Sequence, residues 1–395
     1  MNQNNPLTKQ SALLFIILLG IVSLFADMTY EGARSILGPY LAILGASAAV
    51  VGIVSGLGEL IGYSLRFVSG YFADKTQRYW LITMVGYGVN VASVPLLAFT
   101  HHWITASLLI ILERFGKAIR VPARDAMLSQ AGQITGQGWG FGLHQALDQI
   151  GALVGPLLMA LVLYLKTGDY RFGFAILAIP AFFVLLFLWV AFSRYPHPAH
   201  LAISQPTIDT TVTQKTFWFY IIGAAFVAFG YADFPLIAYH FEKSHILTPV
   251  VIPIAYGIAM GIDAITAPLS GRLYDKYGLI VMVIAIFFTA SFAPLVFLGG
   301  AKAAIVGVGI WSIGMGVQAA LMRAVIGNLI PFEKRGSAYG LFNMIYGISW
   351  FIGSSLSGII YGHSIPFVVV LIVVSEWLSL PWFLVVWKRI GKRHL

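Results

Sequence analysis

The stretch LFADMTYEGARS, residues 24–35, places Asp27, Glu31 and Arg34 inside an otherwise apolar run. Spacings of four and then three put all three on one helical face. Farther along, ERFGKAIRVPARD carries Glu113, Lys117, Arg120 and Arg124 at spacings of four, three and four, again one face. His144 and Asp148 are four apart. Carboxylates in a low-dielectric site can load and release protons near neutral pH. Asp27, Glu31, Glu113 and Asp148 are therefore candidate proton carriers, with Asp27 and Asp148 favoured. An arginine does not deprotonate. Arg34 and Arg120 are thus candidates to pair with a carboxylate at one time and an anionic ligand at another. The competing reading is a set of static ion pairs that fix helix packing, with snorkelling bases such as Arg124 and Arg323 near the inner surface. His144 with Asp148 reads as a proton relay, a metal pair or a satisfied structural pair.

Each such charge costs at least ~2.5 kcal/mol at the centre of a bilayer helix, so the elements that carry them matter. Of 395 residues, 59% are hydrophobic and 10% charged, whereas a soluble domain carries about 25% charged residues. Apolar runs long enough to span a bilayer recur, without the period-two alternation of barrel strands. The chain therefore reads as an all-α polytopic membrane protein. Residues 9–26 read as a retained span, because the apolar segment runs on through charged residues without a cleavage site. There is no cysteine, which excludes disulfides and thiolate metal sites. No HExxH, GxSxG or Walker loop is present, so neither an enzyme nor an ATP-driven pump is expected, and no cofactor or metal is called for.

Twelve spans are expected: 12–35, 47–72, 79–99, 103–130, 137–165 and 171–193, then 215–240, 248–273, 279–298, 302–329, 335–361 and 366–389. RYPHPAHLAISQPTIDTTVTQK between the sets is the only long polar segment. The expected organisation is an N-terminal six-helix bundle at 1–193, a linker at 194–215 and a C-terminal bundle at 216–395. Thirteen Lys and Arg residues, Lys9, Lys75, Arg78, Lys334, Lys392 and Arg393 among them, fall on the side of the termini. Four, Lys166, Arg171, Lys243 and Lys302, fall on the other. Both termini are thus expected in the cytoplasm. The net charge of +9 follows that topology, and no nucleic-acid partner is expected.

The halves repeat. SGYFADKTQRYW matches SGRLYDKYGL, so Gly70 and Asp74 map to Gly271 and Asp275. FAD at 25–27 maps to YAD at 231–233, FGLH at 141–144 to YGLF at 339–342, and Arg124 to Arg323. Two six-helix repeats around a midplane site are a transporter architecture. By rise per residue, Asp27 is expected about 22 Å and Asp233 about 25 Å from the inner face of a core about 30 Å thick. The first half holds six intramembrane acids and six bases, the second only Asp233, Asp263, Glu376 and Arg323. Charge chemistry is therefore expected in the first half, with Glu376 incidental.

These features resemble the major facilitator superfamily along essentially the whole chain. Gly70, Asp74 and Arg78 match the family's Gly-x-x-x-Asp-x-x-x-Arg signature after the second helix, and Gly271 and Asp275 form a second copy ending in Gly278. The resemblance implies a conformational latch there; the alternative is a solvated turn. Gly142, Gly151 and Gly155-Pro156 match the start of the family's antiporter motif in the fifth helix, where Met159-Ala160 stands in place of a closing glycine pair. They imply packing between the two halves; close packing of Gly151 and Gly155 on a neighbouring helix explains them too. The implied fold is two pseudo-symmetric six-helix bundles around a central cavity lined by the first, fourth, seventh and tenth helices. That placement makes Arg34, Arg120, Asp233, Tyr30 and Tyr231 cavity candidates, with Phe229, Phe234 and Trp311 available for stacking. The implied activity is proton-coupled movement of a small organic solute by alternating access. Export by antiport is favoured, import of a nutrient or anionic metabolite is the alternative, and a monomer in the bacterial inner membrane is expected.

Overall fold

The computed structural model describes residues 8–196, 214–329 and 335–391. The expected linker from 197 to 213, Lys334, Lys392 and Arg393 lie outside the described residues, as do the side chains of Arg323 and Arg335. Among the described residues all regular structure is helical. In chain order the α-helices are α1 (Lys9–Ile43), α2 (Ala48–Thr76), α3 (Tyr79–Leu96), α4 (Trp103–Thr135), α5 (Gln137–Leu165), α6 (Tyr170–Ile176), α7 (Ala178–Arg194), α8 (Gln214–Gly230), α9 (Phe234–Lys243), α10 (Val251–Tyr277), α11 (Ile280–Thr289), α12 (Phe292–Phe297), α13 (Ala301–Leu329), α14 (Arg335–Tyr361) and α15 (Ile365–Gly391).

These helices account for the twelve expected spans. Eleven segments of the described chain are long and apolar enough to cross a bilayer. The twelfth, α4, has 33 residues but carries Glu113, Arg114, Lys117, Arg120, Arg124 and Asp125, which takes it below the hydropathy of an ordinary span. The first span is longer than expected. The expected span ends at 35, whereas α1 runs on to Ile43 with Pro39 inside it. That places Asp27 near the midpoint of a helix about 52 Å long, rather than toward its far end.

Three spans expected as single helices are interrupted: the sixth between α6 and α7, the ninth between α11 and α12, and the seventh between α8 and α9. The seventh has the clearest local cause. Gly230 ends α8, Asp233 takes the extended N-cap conformation, and Pro235 stands in the first turn of α9. Gly before, an N-cap acid, and Pro just inside are stop and start signals in sequence.

By compactness the chain divides into two units that are not the sequence repeats. The first takes the chain up to Arg34 and from Leu65 to the linker; the second takes Ser35–Ser64 and the chain after the linker. The end of α1 and the start of α2 therefore belong with α8–α15. Glycine permits this, because a β-carbon at Gly38 would collide with Pro235 O and one at Gly52 with Ser354 O. In the first unit, Phe15, Trp80, Tyr87, Met127, Leu128 and Leu188 form part of a continuous core. Trp80 Nε1 donates to Tyr195 O at 2.8 Å and ties α3 to the end of α7.

Within the second unit, α14 meets α8 where a β-carbon at Gly353 would collide with Phe229 O. Gly353→Val is expected to lower the stability of the detergent-solubilised protein by about 1–3 kcal/mol through overpacking. Gly271→Val, where a β-carbon meets open space, is expected to leave the thermal unfolding temperature unchanged.

Candidate functional site

The intramembrane charges gather in the first unit, and two close helix contacts position them. Gly116 on α4 faces the backbone of Asn90 on α3, and Gly86 on α3 faces that of Arg120, 2.7 Å from its nitrogen to an added β-carbon. Backbones close enough to leave no room for a β-carbon bring side chains of adjacent turns into register. Asn90 Nδ2 then donates to Glu113 Oε1 at 2.6 Å and to Glu113 O at 3.1 Å. Arg114 Nε lies 3.5 Å from Glu113 Oε2. Glu113 is thus a buried, multiply held carboxylate.

Tyr30 on α1 is the hub of the next layer. Its phenolic oxygen accepts from Arg34 NH1 at 2.6 Å and, in a very short contact, from Arg114 NH1. Lys117 Nζ stands 3.5 Å from the Tyr30 ring centroid, with Arg114 Cζ at 4.7 Å. A desolvated cation over an aromatic face gains about 2 kcal/mol, so one tyrosine gathers three cations from two helices. Asp27 and Glu31 lie within electrostatic reach of Lys117, which offsets the positive charge. Both remain partly exposed.

One turn along α4, Arg120 is fully buried with its guanidinium carbon 4.1 Å from the Tyr87 ring centroid. Its NH2 lies 3.9 Å from Asp27 Oδ1, while Nε and NH1 have no partner among the described residues. Buried guanidinium donors normally find acceptors. Arg120 therefore keeps spare capacity for an acceptor that the protein does not itself supply there. Arg124 is satisfied: Nε and NH2 bond Asp125 Oδ1 at 2.9 and 2.7 Å, and NH1 donates to Ser23 Oγ at 2.9 Å.

The α5 helix approaches α1 just as closely. β-carbons at Gly151 and Gly155 would collide with Leu24 O and Met28 O, so the approach of these glycines is to α1, inside one unit. It sets Asp148 beside Asp27 and the bases of α4, and His144 Nδ1 lies 3.4 Å from Asp148 Oδ2. Pro156 is buried in the same helix, whereas Gly142 is exposed and open.

The candidates of the second unit stand elsewhere. Tyr231 and Asp233 occupy the interruption between α8 and α9, and both are buried. Helix ends leave unpaired carbonyls; here Trp311 Nε1 donates to Ala232 O at 2.9 Å, and Tyr231 Oη donates to Trp311 O at 2.8 Å. Tyr231 stacks on Trp311, with Phe234 and Tyr256 alongside. Ser354 Oγ lies 2.7 Å from Asp233 Oδ2. Glu376, whose β-side packs on Gly230, is buried too, and its Oε2 has no partner among the described residues.

At the loop signatures, Asp74 is exposed and accepts from Tyr79 Oη at 3.2 Å, and Arg78 is exposed before α3. A β-carbon at Gly70 would sit 3.4 Å from Pro122, while Gly271 faces open space. Asp275 is exposed. Sequence reasoning gave no role to Arg114, Asn90, Tyr87 or Ser23. Asn90, polar within an apolar span, carried a usable signal; Tyr87 and Ser23 did not.

Comparison with known proteins gives a consistent result. A family model described as Major Facilitator Superfamily matches residues 19–384. An uncharacterized protein of Mycobacterium tuberculosis is 36% identical over 377 residues, covering 94% of this chain and 92% of its own. An uncharacterized MFS-type transporter of Methanocaldococcus jannaschii is 28% identical, covering 88% of each. Among solved structures, a variant of the nucleoside transporter NupG is similar with a TM-score of 0.76, 14% identity, and coverage of 94% of this chain and 99% of that one. A peptide transporter, POT, in complex with sulfate gives 0.74 at 12% identity, with coverage of 98% and 99%.

Tyr30→Phe removes the acceptor shared by Arg34 and Arg114 while keeping the ring. The variant is expected to lose about 1–3 kcal/mol of stability, the cost of buried donors left unpaired, read as a lowered unfolding temperature in detergent.

Proposed function

The chain belongs to the major facilitator superfamily, and on that premise we propose that it is a proton-coupled secondary transporter of a small organic solute. It works by alternating access, and export by proton antiport is the favoured direction. The observation that carries the proposal is the mixed cluster of the first unit, where acids with some exposure stand against a buried arginine with spare donors. Asp27 lies 3.9 Å from Arg120 NH2, and the Asp27 and Asp148 side chains keep 18% and 14% exposure. A carboxylate that changes protonation must meet both water and a cation whose hold on it can be exchanged. Asp27, Glu31 and Asp148 have that setting. Glu113, held by Asn90 and Arg114, acts in this proposal more as an anchor for α4 than as a carrier. Arg34, Arg120 and Tyr30 supply the substrate-facing groups of the first unit, and Asp233 and Tyr231 those of the second.

The loop residues Gly70, Asp74, Arg78, Gly271 and Asp275 are proposed as the latch. A carboxylate at a helix end gains about 0.3–2 kcal/mol, enough to bias two nearly balanced states. Gly151 and Gly155, which lie against α1, are proposed to hold the first bundle rigid as it rocks, with Gly142 and Pro156 of the same helix on the surface along which it moves. Proton-coupled import is the second reading, favoured by Met159-Ala160 standing where a glycine pair would complete the antiporter signature. The protein is proposed to be a monomer of the bacterial inner membrane with both termini in the cytoplasm.

A thermal-shift screen of solutes identifies a binder by protection, and flux of that binder in proteoliposomes follows. A pH gradient is expected to accelerate export from the cytoplasm-equivalent side. Asp27→Asn is expected to abolish the acceleration while leaving downhill exchange; proton-driven flux equal to wild type would remove Asp27 from the coupling scheme. The absence of cysteine makes topology directly testable in cells. A single cysteine at Lys166 is expected to react with a membrane-impermeant maleimide from outside, and one at Lys75 only after permeabilisation.

A further inference from the structure

Glu376, in the second unit, has no part in the proposed function. Its side chain is 1% exposed, and its Oε2 has no partner among the described residues. It stands on α15, which runs antiparallel to α8: Arg389 lies over Phe219, Phe383 against Gly223, and Glu376 against Gly230, the last residue of α8. A β-carbon at Gly230 would lie 3.1 Å from Glu376 Cγ, 3.0 Å from Ser375 Cβ and 3.0 Å from Ile372 O. Helical side chains lean toward the N-terminus of their own helix. On α15 that direction leads past Gly230 toward the interruption at Tyr231–Asp233, so the Glu376 carboxyl group reaches the end of α8.

That end is already negative. The last carbonyls of a helix lack intrahelical partners and together carry roughly half a negative charge. Trp311 serves Ala232 O within the interruption, but a carboxylate beside the α8 terminus adds charge of the same sign. Among the described residues no base stands next to it. The α11 and α12 helices, which pack on α15, contain no charged residue. On α14 the group in electrostatic reach is Tyr346, whose hydroxyl donates to Gln318 Oε1 at 2.9 Å. Along the two helices the bases are remote: Lys388 is twelve residues from Glu376 and Lys215 fifteen from Gly230, about 18 and 22 Å by helix rise. A carboxylate buried without a cation is among the costliest arrangements in a protein interior.

We propose that Glu376 and the C-terminal end of α8 form a sodium site, ligated by the Glu376 carboxylate, the Ser375 hydroxyl and carbonyls of the last turn of α8. The donor set selects the ion. All the donors are oxygens, which suit hard cations. Among the described residues no three of His, Cys, Asp and Glu stand together as a metal cluster, so one carboxylate matches one positive charge. The close packing around Gly230 favours the smaller of the common monovalent ions. A half-helix C-terminus next to unwound backbone is also a setting in which transporters hold sodium. The ion neutralises the carboxylate and the helix end together, and ties α15 to the interruption. The site lies within the second unit and does not depend on the proton-coupled reading, whose proton carriers are in the first.

The test is thermal unfolding of the full-length protein in detergent, with sodium chloride exchanged for choline chloride at constant ionic strength and pH. Sodium is expected to raise the unfolding temperature with a saturable dependence on concentration, and potassium over the same range to have little effect. Glu376→Gln keeps the shape of the side chain and is expected to abolish the sodium response. If that variant does not fold, Glu376→Asp withdraws the carboxylate by one methylene and is expected to raise the concentration of half-effect at least about tenfold. Equal unfolding temperatures of the wild type in sodium and choline would overturn the proposal. So would a potassium response equal to that of sodium, or a folded Glu376 variant that responds as the wild type does. None of these results touches Asp27 or Asp148, whose coupling is read by flux.

Discussion

A phenolic oxygen in the middle of a membrane helix organises the first unit. Tyr30 accepts from two guanidiniums and offers its ring to an ammonium, so cations from α1 and α4 converge on a neutral side chain. Water would do this more readily, but within a bilayer every charge needs a protein partner or an aqueous surface. Carboxylates alone would lock the cations into fixed pairs. A tyrosine holds them with hydrogen bonds and a ring quadrupole, while the neighbouring Asp27 stands at a looser 3.9 Å from Arg120 NH2. That division of labour, a neutral anchor and an acid loosely held, is what the proposed proton chemistry requires.

The two compact units solve the polar problem differently. The first uses charges in register across α1, α3, α4 and α5, brought together by glycines that allow backbone contact. The second uses an interrupted helix whose free carbonyl is capped by an indole and whose acid is held by a serine hydroxyl. Backbone that leaves the helix at membrane depth survives only where the protein satisfies it, and Trp311 does that. The clustered charge therefore belongs to the first unit, and the interruption capped by Trp311 to the second.

Glycine also explains why compactness and sequence repeat disagree. Gly38 and Gly52 allow the α1–α2 tip to lie against the backbones of α9 and α14, and so residues 35–64 belong with the C-terminal helices. Repeats reflect the connectivity of the chain, whereas compact units reflect which backbones can approach. The two diverge wherever a long helix runs past its own bundle, as α1 does with its 35 residues.

By itself the sequence determined the membrane class, the helical architecture, the two-fold repeat, the family resemblance and the concentration of charge in the first half. Each follows from hydropathy, periodicity or local residue identity, which need no knowledge of neighbours. It also held the signals for the broken seventh span in Gly230, Asp233 and Pro235, although apolar length alone argued for one continuous helix. Only the tertiary structure decided which charges meet. Spacing put Glu113 and Arg120 on one face of α4, but Asn90 and Arg114 hold the first while the second stands over Tyr87 near Asp27. Likewise Ser23 and Tyr87 carry no mark in the sequence, because a buried hydroxyl acquires its partners only when helices distant along the chain bring His144 and Arg124 to within a hydrogen bond of it.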